Sequence, residues 1–322
     1  MLLITPDTIE PVIRHWKDKF MNKQKSPDTQ YRKTLKLVLD KGIKSYAQQG
    51  TETISLIGTP PMRFRLKAGF PMITERNMAP QFKSGKPTVW QQAIAEMTGF
   101  INGARTQSEL EEYGCHWWKP WVTERKCSKR GLETGDLGPG SYGAAFHDFP
   151  TAEGPKYNQF EQILEQMQEL PHLKTHFISP WIPQYIVRGK GKVQKVVVCP
   201  CHGWLHLRIF GKKLVLHMFQ RSGDLPVGVP SNMVQYAALT MMIAQVLDLE
   251  PYEYVHTISD AHIFEEQLPM VKQMLEREPK PLPTMKIKPE SKKIKDLFAF
   301  RYTDFELSDY NPHPGIKMPV AI

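Results

Sequence analysis

The chain has 322 residues, 41% of them hydrophobic and 23% charged, with a formal net charge of +9. That composition excludes a disordered or fibrous protein and suits one large domain with a sizeable core. No apolar run approaches the roughly 18–20 residues that span a bilayer, and Met1-Leu2-Leu3-Ile4-Thr5-Pro6 turns polar too soon for a secretory leader, so a cytoplasmic location is expected.

Residues 1–30 are polar and mixed in charge and read as an N-terminal extension, with residues 31–322 as a single domain. From residue 30 to about 50 the pattern predicts a helix, with Leu35, Leu37, Val38, Leu39 and Ile43 as its apolar stripe and Gly50 as its stop. Residues 51–57 alternate with period two, and Gly58-Thr59-Pro60-Pro61 turns the chain into residues 62–66, which reads as a hairpin. Residues 89 to about 102 read as a helix. The stretch 105–151 is rich in Trp, Gly and charge, weakly periodic and longer than an ordinary connection, the profile of a functional loop region. A helix over residues 157–170 follows. Residues 204–210 and 214–219 then form a hairpin about Gly211-Lys212-Lys213, and a Gly- and Pro-rich turn runs on to Asn232. Residues 233–249 are apolar around nearly the whole circumference, which predicts a buried helix whose methionines are packing. The expected class is α/β in the α+β sense, a single domain with a mixed β-sheet covered by helices. No repeat, low-complexity tract or linker divides it.

A charge of +9 fits a nucleic-acid binder, an enzyme with anionic ligands or a merely basic surface. The excess lies in short runs that read as solvated turns, Lys190-Gly191-Lys192, Lys212-Lys213 and Lys292-Lys293, without a long basic arm, and a nucleic-acid partner is not expected. Four cysteines are too few and too clustered for a secreted disulfide framework. The spacing of Cys115, Cys127, Cys199 and Cys201 is unlike the usual zinc pairs, so no metal is expected. Cys201-His202 sets a thiol beside an imidazole, but neighbours on a strand point to opposite faces and the pair alone decides nothing.

Its context says more. Cys201-His202, the hairpin after it, Gln220-Arg221-Ser222-Gly223-Asp224, and Val227-Gly228-Val229-Pro230-Ser231-Asn232 before the buried helix resemble the core of the thymidylate synthase family. Asp136-Leu137-Gly138-Pro139 with Tyr142-Gly143, the pair Trp118 and Trp121, Asp260-Ala261-His262, and the tail from Tyr310 to Ile322 extend the resemblance over roughly residues 31–322. It implies a homodimeric catalytic domain. It also implies a pyrimidine nucleoside monophosphate as substrate, 5,10-methylenetetrahydrofolate as co-substrate, and one-carbon transfer to C5 of deoxyuridylate.

The resemblance places Cys201, Tyr142, Gln92 and His202 at the catalytic centre. The Cys201 thiolate would add to C6 and so make C5 a carbon nucleophile. Arg221 would meet the phosphate and lower the thiol pKa, and Tyr142 would assist proton removal from C5. Gln220, Ser222, Asn232, His262 and Lys174 complete the implied substrate set. The amide of Asn232 offers a donor and an acceptor to O4 and N3–H of uracil, and His262 meets the sugar hydroxyl. The folate would lie against Asp224, Trp118, Gly228 and Ala321, with Asp224 holding the pterin.

The chain also departs from the pattern. Gln92, seven residues before Gly99, stands for a glutamate of the family's proton network; glutamine cannot shuttle a proton, so water with Tyr142, or Glu96 a turn later, would serve. Gln48 stands where a phosphate arginine is expected, Lys174 and Thr175 replace two interface arginines, Phe264 replaces a sugar-contacting tyrosine, and Glu75 stands for a folate-tail lysine. Lys174, His176, Arg188 and Lys190 are the candidate replacement cations. The family holds a second activity, in which water rather than hydride captures the methylene and a 5-hydroxymethyl nucleotide results. The altered proton and phosphate positions favour this hydroxymethylation, which in relatives from viruses of bacteria serves modified-thymine DNA, and so imply a phage enzyme acting in a host cytoplasm. Trp118 and the intact tail favour the alternative, thymidylate synthase proper. A catalytically inactive nucleic-acid-binding homologue is the remote alternative.

Overall fold

The computed structural model describes residues 27–82 and 85–322; all but the last few residues of the N-terminal extension lie outside them. In chain order the first half comprises α1 (Gln30–Lys41), β1 (Ile43–Tyr46), β2 (Glu52–Ile57), β3 (Met62–Arg65), α2 (Val89–Ile101), α3 (Gln107–Tyr113), α4 (Glu124–Ser128), α5 (Tyr142–His147) and α6 (Gln159–Glu169). Then come β4 (Phe177–Ile178), α7 (Pro183–Ile186), β5 (Trp204–Phe210), β6 (Lys213–Asp224), α8 (Gly228–Val246), β7 (Glu250–Phe264), α9 (Leu268–Glu276), β8 (Thr284–Ile287) and β9 (Phe305–Ser308).

The main sheet has the order β1-β2-β7-β6-β5-β4, with β3 also on β7. Only β6 and β7 pair in parallel, so the sheet is mixed as expected. Strand β6 alternates buried Leu214, Leu216, Met218 and Gln220 with more exposed neighbours, and its buried face meets α8. Helix α8 packs in turn against α2, and both are buried round most of their circumference. No helix among the described residues is long and apolar enough to cross a membrane.

Four sequence expectations are corrected here. Helix α1 stops at Lys41, and Ile43, 75% exposed, opens a strand that pairs with β2 instead of extending the helix toward residue 50. Strands β2 and β3 do not form a hairpin with each other. Both run antiparallel along β7, on residues 260–264 and 253–256, and Gly58 (φ 74°) turns the chain between them with its N–H on Ser259 O at 2.7 Å. Strand β6 continues to Asp224, since parallel β7 supplies ladder partners as far as the Asp224/His262 pair, and α8 starts at Gly228, well before residue 233. The loop region 105–151 contains α3, α4 and α5, the first opened by a Thr106/Glu109 capping box.

The Tyr142-Gly143 pair is fixed by a close approach of backbones. A Cβ on Gly143 would lie 2.0 Å from the Ala104 carbonyl oxygen, which cannot swing aside as a side chain would. Gly143→Ala is therefore expected to cost about 2–3 kcal/mol and to lower Tm by several degrees in calorimetry. Gly154→Ala, whose Cβ would meet open space, is the control expected to leave Tm in place; equal Tm values for the two variants would refute the close approach.

Candidate active site

Cys201 sits at the entrance to β5, its backbone held from two sides. Its carbonyl accepts the N–H groups of Arg221 (2.7 Å) and Ser222 (3.2 Å) on β6, and its own N–H donates to Tyr142 Oη at 2.6 Å. Two residues on, Gly203 has φ 101°, and a Cβ there would come within 2.9 Å of both the Phe146 ring and the Tyr236 hydroxyl. The Arg221 guanidinium returns to the cysteine, donating to Sγ at 3.3 Å and to Pro200 O at 3.2 Å, with Trp181 beneath it at 5.6 Å. Burial pushes the Cys201 thiol above its ordinary value, and Arg221 pulls it part of the way back.

His202 faces away from that chemistry. Its buried ring stacks on Tyr142 (centroids 4.5 Å, 20° between planes), Nδ1 lies 2.6 Å from Tyr236 Oη, and burial lowers its pKa to about 3. The imidazole is therefore neutral across the physiological range and serves as a plate against Tyr142, whose other face stacks on Phe100 at 4.8 Å. Burial also holds the Tyr142 hydroxyl well above the usual phenol value.

Gln92 and Glu96 divide the roles considered for them. The Gln92 amide donates to Pro87 O at 2.9 Å and accepts the His116 N–H at 3.0 Å, which joins two loop segments to α2. Glu96 is the carboxylate at the centre. Its Oε1 accepts the indole N–H groups of Trp117, at 2.6 Å, and Trp118, while Oε2 accepts from Gln235 Nε2. Burial raises its pKa against the pull of those three donors. Trp118 is thereby fixed, with Phe100 and Trp121 rings each 6.0 Å from it.

Asn232, in the second turn of α8, accepts from Gln220 Nε2 at 2.9 Å through Oδ1 and donates to Gln235 Oε1 at 2.9 Å through Nδ2. Gln220 Oε1 lies 2.7 Å from His256 Nε2, and burial takes His256 to about 3. Asp224, at the end of β6, accepts from Val227 N–H at 3.2 Å and from Gln267 Nε2 at 3.1 Å, and burial lifts it to about 6. The same Gln267 amide donates to Pro319 O at 3.1 Å, which brings the tail with Ala321 to this carboxylate. Gly228 lies between Asp224 and Asn232, and a Cβ there would come into ordinary contact with both, 3.8 Å from Asn232 Oδ1 and 3.9 Å from Asp224 Cβ.

Beside Asp224, its ladder partner His262 keeps Nδ1 3.7 Å from Asp260 Oδ2, and neither His262 Nδ1 nor Asp260 Oδ1 has a hydrogen-bond partner among the described residues. A sugar hydroxyl, donor and acceptor at once, suits such orphan atoms. Of the candidate cations, Arg188 is the one seen at Gln48, its guanidinium 3.2 Å from Gln48 Oε1. Lys174 offers its carbonyl to His206 Nε2, and among the described residues no hydrogen bond or ion pair joins its side chain to Arg221 or Gln48. His176 is fully buried with both ring nitrogens unpartnered, and burial lowers its pKa. Glu75 is buried, with its pKa raised, beside Arg76, whose guanidinium donates to Pro226 O at 2.9 Å and keeps Nε unpartnered.

Sequence reasoning passed over Gln235, Gln267, Tyr236 and Arg76. Gln235 had a signal in its i+3 spacing from Asn232, and Glu96 in being the one ionisable group of α2; Gln267 had none. The four cysteines are free, and no group of three His, Cys, Asp or Glu side chains among the described residues could hold a metal ion. A family model described as thymidylate synthase matches residues 29–322, nearly the whole chain.

The opposition between burial and Arg221 sets the pH response of the nucleophile. Iodoacetamide labelling of Cys201, followed on its peptide by mass spectrometry, is expected to keep accelerating beyond about pH 9, past the ordinary thiol range. Arg221→Gln should move the profile further toward alkali. A plateau below about pH 8 in the unaltered protein would mean that the guanidinium outweighs burial.

Proposed function

The chain belongs to the thymidylate synthase family, which makes it a folate-dependent transferase acting at C5 of deoxyuridylate, and on that premise we propose that its product is 5-hydroxymethyl-deoxyuridylate. Cys201 Sγ adds to C6 of the base, and the displaced pair spreads through C5 to O4, where the Asn232 amide donor can meet it. Tyr142, hydrogen-bonded to the nucleophile's own backbone, relays the proton leaving C5; its raised pKa suits a relay, not a resident base. Methylenetetrahydrofolate, when bound, supplies the one-carbon unit and, in a methyl-forming reaction, the hydride. The residues present fit it: a buried carboxylate at Asp224 and the unpartnered Nε of Arg76.

The observation that carries water capture is Glu96. It is a carboxylate of raised proton affinity, fixed to the indole of Trp118, the residue assigned here to the folate. Water adding to the exocyclic methylene forms the C–O bond and gives its proton to such a base, and the electron pair returns through the ring to break C6–S and release Cys201. Thymidylate formation is the second reading. It is supported by the same Trp118, held rigidly as a wall, and by the tail tied through Gln267 to Asp224, both of which exclude water. Homodimerisation and a cytoplasmic location belong to the proposal as well; half-exposed Phe177 and Phe219 on the sheet are side chains that an isologous pairing would cover.

Incubation with deoxyuridylate and methylenetetrahydrofolate, with both products identified by mass spectrometry, decides between the readings. The proposal expects 5-hydroxymethyl-deoxyuridylate with tetrahydrofolate; thymidylate with dihydrofolate overturns it. Cys201→Ala should abolish either product. For the phosphate we assign Arg188 together with Arg221. Arg188→Ala is expected to raise KM for deoxyuridylate about tenfold at low salt, less at high salt, with kcat nearly unchanged. A KM equal to that of the unaltered enzyme removes Arg188 from the site.

A further inference from the structure

Five buried side chains form a hydrogen-bond chain that runs in one direction from β7 through the base-reading amide to α2. His256 Nε2–H donates to Gln220 Oε1 (2.7 Å), Gln220 Nε2 to Asn232 Oδ1 (2.9 Å), Asn232 Nδ2 to Gln235 Oε1 (2.9 Å), and Gln235 Nε2 to Glu96 Oε2. Gln220 fixes this direction. Gln220 Nε2 also donates to the Ser222 carbonyl at 3.0 Å, an acceptor-only group, so Gln220 cannot turn over. At the far end Gln235 Nε2 donates to Glu96 Oε2, the oxygen that the two indole N–H groups on Oε1 leave open. The side chain of Gln235 therefore presents its oxygen, not its nitrogen, to Asn232.

We propose that Gln235 is a specificity-determining positioning residue: by linking Asn232 to Glu96 it locks the Asn232 amide in the orientation that accepts a uracil edge and rejects a cytosine edge. The proposal rests on the reading of Asn232 as the base reader. With one N–H given to Gln235 and one lone pair given to Gln220, the amide keeps one N–H for O4 and one lone pair for N3–H. Cytosine presents the reverse pattern, an amino donor beside a ring acceptor, and needs the amide turned over. Turning it would set Asn232 Nδ2 against Gln220 Nε2 and its Oδ1 against Gln235 Oε1, two like-group clashes in a buried site. Gln235 is fully buried and lies one turn from Asn232 on α8, so its hold on the amide is rigid.

The test compares binding of deoxyuridylate and deoxycytidylate by calorimetry to Gln235→Leu and to the parent, both in a Cys201→Ala background so that no turnover intervenes. The parent should prefer the uracil nucleotide, and Gln235→Leu should lower that preference at least tenfold, chiefly through weaker deoxyuridylate binding. Gln235→Met, closer in shape, carries the same expectation should the Leu variant fail to fold. A lower Tm with an unchanged preference means a purely structural role and overturns the proposal while leaving Asn232 as the reader. A parent that binds the two nucleotides equally overturns the reading of Asn232, and the proposal with it.

Discussion

A carboxylate buried between two helices is the constraint on which this site depends. Glu96 lies on α2 at its contact with α8, 6% exposed, where an ionised group without partners would be strongly unfavourable. Three donors compensate it: Trp117 and Trp118 from one loop, and Gln235 from α8, which also holds Asn232. Removing any one leaves a charge under-solvated, so the tryptophan loop and both helices are held in a single arrangement. The same low-dielectric surroundings that make the carboxylate costly strengthen each bond it accepts.

Burial is also the common cause of the unusual protonation states, with different consequences by residue. It neutralises His202 and His256, which then act as a stacking plate and a hydrogen-bond terminus. It raises the Cys201 thiol above its ordinary value, and Arg221, the cation in contact, offsets only part of that rise. It leaves Asp224 near 6, ionised at neutral pH yet still a strong acceptor for N–H groups. The nucleophile has its position fixed by backbone, through Arg221, Ser222 and Tyr142, so its side chain is free to react without the loop moving.

The motifs of the site were legible in the sequence because they are local: Cys201-His202, the Gln220 to Asp224 run and the Asn232 turn each keep their chemistry within a few residues. The long central strand was not. Strand β7 carries polar groups such as Glu253, His256, Thr257 and Asp260 along its length, because it is paired on both edges and contributes to the site, so neither alternation nor a plain apolar run marks it. The β2–β3 hairpin was misread for the same reason, since both strands pair with that unrecognised one. Glu96 was visible as an isolated charge on an apolar helix, but that three side chains converge on it is a tertiary fact. Gln235 lay hidden in a helix read as uniformly apolar.

The two ends of the nucleotide site also differ in how much precision they demand. Telling uracil from cytosine needs directed donors and acceptors in a dry interior, which on the proposed reading the buried chain from His256 to Glu96 provides. Holding a phosphate needs positive charge within a few ångströms, a requirement that many geometries satisfy and that flexible arginines meet from solvent-exposed positions. On the proposed assignment Arg188, whose guanidinium meets Gln48, would serve the phosphate in place of a missing arginine, whereas exchange of Gln220, Asn232 or Gln235 would remove a hydrogen-bond partner from the buried chain. On the proposed reading, substitution at the rim would change affinity and its salt dependence, and substitution along the buried chain would change which base is read.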